Sequence, residues 1–144
     1  MKPFSLHTVL EYRDRLENLA QQKLMSAEQA VRQLAEQIAE VEADIDDRIA
    51  ALAEKQRQGI DIREHIQLAE GLDYRRQELA AMRQEMVKRR EKVDQARGHL
   101  KKRSQEKKIM EKLRERQNTA WRQHLDKREG VQLDEIAILY HGKK

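Results

Sequence analysis

An apolar residue at every third or fourth position is the feature that most constrains this chain. Between Leu24 and Ile45 the apolar side chains recur in steps of 3, 4, 3, 4, 3 and 4, and Glu, Gln, Asp and Arg fill the other faces. Such a heptad stripe is too narrow to cover a globular core and has to be buried against another helix. The pattern predicts one long helix over about residues 5–57.

A second stripe follows in the other half of the chain. It begins at Leu72, runs to Leu125 and predicts a second long helix over about residues 72–128. Three positions where the spacing calls for an apolar residue hold Arg89, Arg103 and Lys107 instead. We expect weaker packing between residues 100 and 110, or a different use for that segment.

Two glycines, Gly59 and Gly71, separate the stripes and predict a bend over residues 58–71. Each costs about 1 kcal/mol inside a helix relative to alanine. Residues 62–70 between them are able to form a short helix, with Asp61 as its cap and Glu64 at the capping-box position. The alternative is a continuous helix that tolerates both glycines. Residues 129–144 are expected to form either a last turn of helix or a tail that orders on a partner.

The charge distribution indicates how the helices pair. Residues 1–60 carry 8 basic and 11 acidic side chains, and residues 61–144 carry 22 basic and 15 acidic ones. Folding back at the bend sets the acidic helix beside the basic one, with residue i near residue 131 − i, whereas two parallel chains would juxtapose like charges. We therefore predict an all-α fold: a single antiparallel coiled-coil hairpin over residues 1–144, as a monomer. A coiled-coil dimer scaffold is the alternative.

The residues needed for catalysis or metal binding do not form a recognisable pattern. There is no cysteine, the five histidines are scattered, and the glycines are isolated rather than grouped in a phosphate-binding loop. Carboxylates on a two-helix hairpin are hard to bury deeply enough for acid–base catalysis. We predict a protein that is not an enzyme and binds no cofactor or metal. The N-terminus lacks a signal-peptide pattern, and no window approaches the roughly 18 apolar residues of a membrane span, so a cytoplasmic location is expected.

Basic clusters on the second helix raise the possibility of nucleic-acid binding. They comprise residues 88–90, 101–103 and 107–108. Aromatic residues make up only 3% of the chain, and interleaved glutamates dilute the positive charge. A solvated basic face, or one that meets an acidic protein partner, is favoured over a nucleic-acid-binding helical hairpin, which stays as an alternative.

Motifs at both ends of the chain carry a family resemblance. The first is Phe4-x-Leu6-x-x-Val9-Leu10-x-x-Arg13-x-x-x-Glu17. The second is Glu111-Lys112-Leu113-Arg114-Glu115-Arg116, followed by Trp121 and by Glu129-x-x-x-Leu133-Asp134-Glu135. Together with the length and the basic charge, these motifs resemble the FliJ family of flagellar type III export proteins. The related stalk proteins of injectisome secretion systems are the alternative within this class.

The resemblance implies a stalk-like component of the flagellar protein export apparatus. Members pair their terminal helices inside the hexameric export ATPase, FliI, and promote its assembly and activity; they also contact the export gate protein FlhA and escort export chaperones. Association with the inner face of the cell membrane would then run through these partners.

The resemblance also suggests which residues meet the partners. The residues expected to contact the ATPase are Arg13, Arg15, Arg114, Arg116 and Arg122, of which only Arg13, Arg114 and Arg116 lie inside the matched motifs. The residues expected to contact the gate are Leu72, Leu79 and their neighbours. Under this assignment the bend faces the gate.

Overall fold

The computed structural model describes residues 6–141, which fold into two long helices. Helix α1 spans His7–Gln58, 52 residues, and helix α2 spans Ile62–His141, 80 residues. No strand occurs between residues 6 and 141. The helices are rich in good helix formers, and the single proline of the sequence lies at position 3, ahead of α1. The two helices pack against each other, so the predicted all-α hairpin is confirmed.

The connection between the helices is only three residues long. Gly59 has a φ of +95°, a left-handed conformation that glycine adopts without steric cost and that commonly ends a helix. Asp61 stands at the N-cap of α2, where its carbonyl oxygen accepts a hydrogen bond from the His65 amide at 3.0 Å. The Glu64 carboxylate, expected in a capping box, instead accepts a hydrogen bond from Lys55 Nζ at the end of α1.

The bend is therefore shorter than the predicted 58–71. Gly59 ends α1, but Gly71 lies inside α2 on the side that faces α1, because a Cβ built there would sit 2.9 Å from Arg48 Nη1. The cost of a glycine in a helix interior is about 1 kcal/mol. The adjacent burial of Leu72 against α1 outweighs that cost, since tertiary packing supplies most of the stability of helices in proteins.

Of the two alternatives for residues 129–144, the structure shows the helical one as far as residue 141, although the helix is longer than the predicted end near residue 128. Helix α2 continues through Gly130 and ends at His141. A Cβ at Gly130 would meet no atom within 4 Å, so this glycine fills no packing requirement. The flanking residues 125–129 and 131–140 contain enough helix-compatible side chains to carry the helix across it.

The chain divides into two compact units, each of which contains part of both helices. One unit comprises residues 21–98, and the other comprises residues 1–20 and 99–144, described here from residue 6 to residue 141. The core of unit 21–98 is a cluster of Val41, Ile45, Leu72 and Leu79, with Ile38 and Met82 packed against it. Leu6, Leu10 and Ala20 are the buried residues of α1 and the turn before it in the other unit.

Ion pairs within each unit show that the helices are antiparallel. In unit 21–98 Lys55 pairs with Glu64 and Arg75 with Asp44; in the other unit Arg13 pairs with Glu106. The two residue numbers add up to 119 in all three pairs. Residue i therefore lies near residue 119 − i at these positions, about twelve residues from the predicted 131 − i. The difference arises because α2 begins at Ile62 and not near residue 72.

The predicted charge match holds in part. Arg83 of the basic helix α2 pairs with Glu42 of the acidic helix α1, with 3.3 Å between Nη2 and Oε1. Arg89 instead donates to the Ala30 carbonyl oxygen at 2.8 Å, because the shifted register brings a different stretch of α1 beside it. The heptad seam is buried at Leu34, Val41 and Ile45, as its spacing predicts, whereas Ile49 is exposed.

Candidate interaction surfaces

Six charged side chains occupy the seam where the apolar stripe of α2 is interrupted. Arg13 Nη1 donates to Glu106 Oε2 at 2.8 Å, and Arg103 Nη1 donates to the same oxygen at 3.1 Å. The three side chains are each about three-quarters buried, which is deep for charged groups on a two-helix layer. Arg103 thus takes a position where the spacing called for an apolar residue, and it helps to hold Glu106 beside α1.

One helical turn further along, Lys107 continues the cluster. Its Nζ donates to Asp14 Oδ1 at 2.7 Å and to Glu17 Oε1 at 3.3 Å. We name these six residues, Arg13, Asp14, Glu17, Arg103, Glu106 and Lys107, the ionic cluster. Polar residues at seam positions fix the register of paired helices at some cost in stability, so the ionic cluster explains the interrupted stripe.

The electrostatics of the ionic cluster favour its charged forms. The hydrogen bond from Arg103 is the main cause that holds the pKa of Glu106 below its usual range, with Arg13 and Lys102 adding to it. The hydrogen bond to Asp14 raises the pKa of Lys107, and Glu17 contributes further. The Nε atoms of Arg13 and Arg103 are buried without a hydrogen-bond partner, which is a cost of placing two guanidinium groups around one carboxylate.

The five arginines predicted to contact the ATPase all belong to the unit that contains both termini, but their surroundings differ. Arg13 is part of the ionic cluster, where Nη1 is already bonded to Glu106. The other four, Arg15, Arg114, Arg116 and Arg122, are exposed. Arg13 therefore holds the helices together in this structure, and the exposed arginines are the ones available to a partner.

An exposed apolar segment lies near the end of α2, in the stretch 129–144 for which ordering on a partner was one of the two expectations. The large apolar side chains between residues 131 and 140 are all more than half exposed: Val131, Leu133, Ile136, Ile138, Leu139 and Tyr140. Ile138 is 70% and Tyr140 79% exposed. Apolar residues this dense on a helix surface are typical of an interface.

The unequal lengths of the helices explain why this segment is uncovered. Helix α1 begins at His7, and the observed register sets that residue beside about residue 112 of α2, so residues 113–141 of α2 lie beyond the start of α1. Trp121, one of the motif residues, is half-buried, and its ring lies 5.8 Å from that of His124. The signal in the sequence was the apolar run between residues 131 and 140. Phe4 of the opening motif lies outside the described residues.

Leu72 and Leu79, predicted to contact the gate, lie in the core of unit 21–98. They are 7% and 9% exposed and pack in the cluster with Val41 and Ile45. Their side chains hold α2 on α1 and leave little surface for a partner. Large apolar neighbours that are exposed in the same unit are Ile62, Ile66 and Tyr74.

The histidine and carboxylate side chains of residues 6–141 form no metal site. No group of three or more His, Asp or Glu side chains in that range is placed to hold a metal ion. His65 Nδ1 lies 3.4 Å from Gln56 Nε2, and His7 Nε2 lies 3.0 Å from Glu11 Oε1, so both rings make local contacts on the surface. Within the same range neither helix contains a stretch apolar enough to cross a membrane.

The fold and these surfaces define a class: an all-α helical hairpin with an ionic seam, an uncovered apolar end and exposed arginines beside it. A family model described as "Flagellar FliJ protein" matches residues 1–144. The chain therefore belongs to the FliJ family and is a component of the flagellar export system. No curated protein and no solved structure matched it in the comparisons made.

Proposed function

We propose that the protein is a monomeric, non-enzymatic stalk that binds the hexameric export ATPase, a FliI-like protein, and promotes its assembly and turnover. The observation that carries the proposal is the exposed apolar segment at residues 131–140 of α2, which has no partner helix among the described residues of α1. A helix end of this kind is suited to insertion into the apolar opening of a ring of subunits. Membership of the FliJ family supports the choice of partner.

The exposed arginines have a separate role in this proposal. Arg114, Arg116 and Arg122 carry positive charge on the part of α2 that precedes the apolar segment, and they would pair with carboxylates on the inner loops of the ring. Charges at the rim of an interface mainly raise the association rate and select the partner, whereas buried apolar contacts supply most of the affinity. The apolar segment would therefore anchor the complex, and the arginines would guide it.

The proposed gate contact moves from the buried leucines to their exposed neighbours. Ile62 and Ile66 are one helical turn apart at the start of α2, and Tyr74 is 68% exposed. These residues offer apolar surface that Leu72 and Leu79 do not. We assign them as candidates for binding the FlhA-like gate protein, while binding of export chaperones is proposed from the family alone. Such contacts would place a cytoplasmic protein at the inner face of the membrane.

The proposal is tested with the purified chain and its cognate export ATPase. The chain is expected to shift the ATPase toward hexamers, measured by light scattering, and to raise its turnover. The variant Ile138→Asp/Leu139→Asp places two charges in the apolar anchor and should reduce affinity by at least about tenfold. The matched control Met25→Asp/Val87→Asp changes two exposed apolar residues of the other unit and should bind normally.

Two results would overturn the proposal. One is a wild-type chain that alters neither the oligomeric state nor the turnover of the ATPase. The other is an equal loss of binding in the two double variants, which would show that the end of α2 is not the anchor. For the gate, Ile66→Asp/Tyr74→Asp should weaken capture of the cytoplasmic domain of the gate protein without changing ATPase activation, and the reverse result would contradict that assignment.

A further inference from the structure

An open groove between α1 and α2 lies entirely within unit 21–98 and has no role in the proposed function. Its volume is about 460 Å³, within the usual range of ligand sites. Its lining residues come from both helices: Glu28, Val31, Arg32, Arg90, Val93, Asp94 and Arg97. None of these is among the residues proposed above to bind the ATPase or the gate, so the groove can be tested independently.

Two of the three arginines of the groove form no ion pair among the described residues. Arg75 and Arg83 form ion pairs across the helices, with Asp44 and Glu42 respectively. In contrast, Arg32 and Arg90 are exposed and form no ion pair with any residue between positions 6 and 141. Two guanidinium groups at this groove thus keep their hydrogen-bonding capacity for a carboxylate from outside.

A third guanidinium group, that of Arg97, is only loosely engaged. Its Nη2 lies 4.0 Å from Glu28 Oε1, at the limit for an ion pair, and most of the Arg97 side chain is exposed. If the Arg97 side chain moved to bind a carboxylate of a partner, it would therefore break only this weak contact with Glu28. Arg90 also belongs to the basic cluster 88–90; its neighbour Arg89 bonds to Ala30 of α1, whereas Arg90 has no role in the described fold or in the proposed function.

Aliphatic side chains accompany the arginines. Val93 is 7% exposed and Val31 is half-buried, and both line the groove. A second hollow on α1 adjoins it through the shared residues Glu28 and Arg32 and includes the exposed side chain of Met25. A ligand in the groove would meet cations and apolar surface together.

We propose that this groove docks an acidic amphipathic helix of a partner protein. The carboxylates of that helix pair with Arg32, Arg90 and Arg97, and its apolar side chains cover Val31 and Met25. Helix-in-groove binding uses apolar anchors at helical spacing, and the charged pairs fix register and orientation.

A nucleic acid fits the same groove less well. Glu28 and Asp94 stand among the arginines, and their charges oppose a uniformly anionic backbone. No aromatic side chain lines the groove, so bases would have no surface on which to stack. A helix whose carboxylates are separated by apolar residues can keep its negative charges away from Glu28 and Asp94. It also needs no aromatic side chain for stacking.

The test uses the full-length chain and synthetic peptide probes at about 0.15 M ionic strength, where generic charge attraction is screened. One probe is an amphipathic helical peptide of about 20 residues with Glu on its polar face. The second has Lys in place of each Glu, and the third is a single-stranded oligonucleotide of similar charge. Fluorescence anisotropy measures the affinity of each, and amide chemical shifts locate the acidic peptide on the isotope-labelled chain.

The variant Arg32→Glu/Arg90→Glu removes the two unpaired cations without breaking an observed contact. Its matched control is Arg63→Glu/Arg76→Glu, which alters two exposed arginines of the same unit by the same net charge. We expect saturable binding of the Glu peptide, shifts at Val31 and Val93, and a loss of about tenfold or more in affinity in the first variant against less than about twofold in the control.

Three outcomes would overturn the inference. They are no saturable binding of the Glu peptide, an equal loss in both variants, and tighter binding of the oligonucleotide than of the peptide. An equal loss in both variants would indicate generic charge attraction, and tighter binding of the oligonucleotide would indicate a nucleic-acid surface. Circular dichroism of each variant confirms that the helices remain folded.

Discussion

The core position of Leu79 leads to a prediction that separates a packing role from a partner-binding role. Leu79 is 9% exposed and packs with Val41, Ile45 and Leu72 in the core of unit 21–98. Replacing it with alanine removes three carbon atoms from an almost fully buried side chain. At about 0.8 kcal/mol per buried methylene, the lost transfer free energy is about 2 kcal/mol.

A second contribution comes from the space that the substitution leaves. Leucine-to-alanine changes in packed globular cores cost about 2–5 kcal/mol in total, depending on how far the surroundings collapse. A layer of only two helices has solvent close on both sides, so collapse or hydration should keep the cavity contribution below about 1 kcal/mol. The free energy of unfolding should therefore fall by about 2–3 kcal/mol for Leu79→Ala.

The assay is urea unfolding of the isolated chain, followed by helical circular dichroism and by amide hydrogen exchange across unit 21–98. The matched control is Tyr74→Ala, because Tyr74 lies close in the sequence but is 68% exposed. Its effect should be within about 0.5 kcal/mol of wild type. The reasoning is refuted if Leu79→Ala unfolds at the wild-type urea concentration. Loss of gate binding in that variant, at unchanged stability, would return Leu79 to the partner surface.

Three further predictions concern the ionic cluster and the glycines. Glu106→Gln should destabilise the chain at pH 7, and the difference in unfolding free energy from wild type should shrink as the pH falls below about 4.5. The reason is that the folded-state pKa of Glu106 is lowered, so its stabilising effect is lost when the carboxylate is protonated. Urea titrations at pH 7, 4 and 3 check this, and a difference that does not change with pH contradicts it. Gly59→Ala should cost at least about 1 kcal/mol in thermal unfolding, since alanine is strained at a φ of +95°, and an unchanged melting temperature would argue against that conformation. Gly98→Ala should gain up to about 1 kcal/mol, because Gly98 is inside α2 and a Cβ there meets no atom within 4 Å; a loss of stability would mean that this position is packed.

Local patterns predicted much of the fold because they depend on neighbours along the helix. The steps of three and four from Leu24 to Ile45 identified the buried face of α1, and the charge difference between the halves favoured the antiparallel arrangement. The interruption in the apolar stripe of α2 also predicted a change in the packing between the helices. Arg103 and Lys107 marked the place where ion pairs replace apolar contacts, although the spacing did not reveal their partners on α1.

The candidate sites were harder to predict, because a residue's availability depends on what lies across from it. Leu72 and Leu79 fit a partner surface and a core equally well by composition. The structure packs both against Val41 and Ile45, and their contact with the gate stays a prediction. In the same way, the sequence grouped Arg13 with four other arginines as ATPase contacts, but it did not show that Arg13 bonds to Glu106 while the other four are exposed.

The sequence by itself determined that the chain forms long helices paired through a narrow apolar stripe, because helix propensity and heptad spacing act over a few residues. Tertiary structure alone decided where the chain turns, since Gly59 and Gly71 are chemically identical. Gly59 takes a left-handed conformation, whereas Gly71 is held in the helix beside a packed leucine. That choice sets the register of the two helices. The register in turn leaves the apolar end of α2 beyond the start of α1 and places Arg32, Arg90 and Arg97 around one groove.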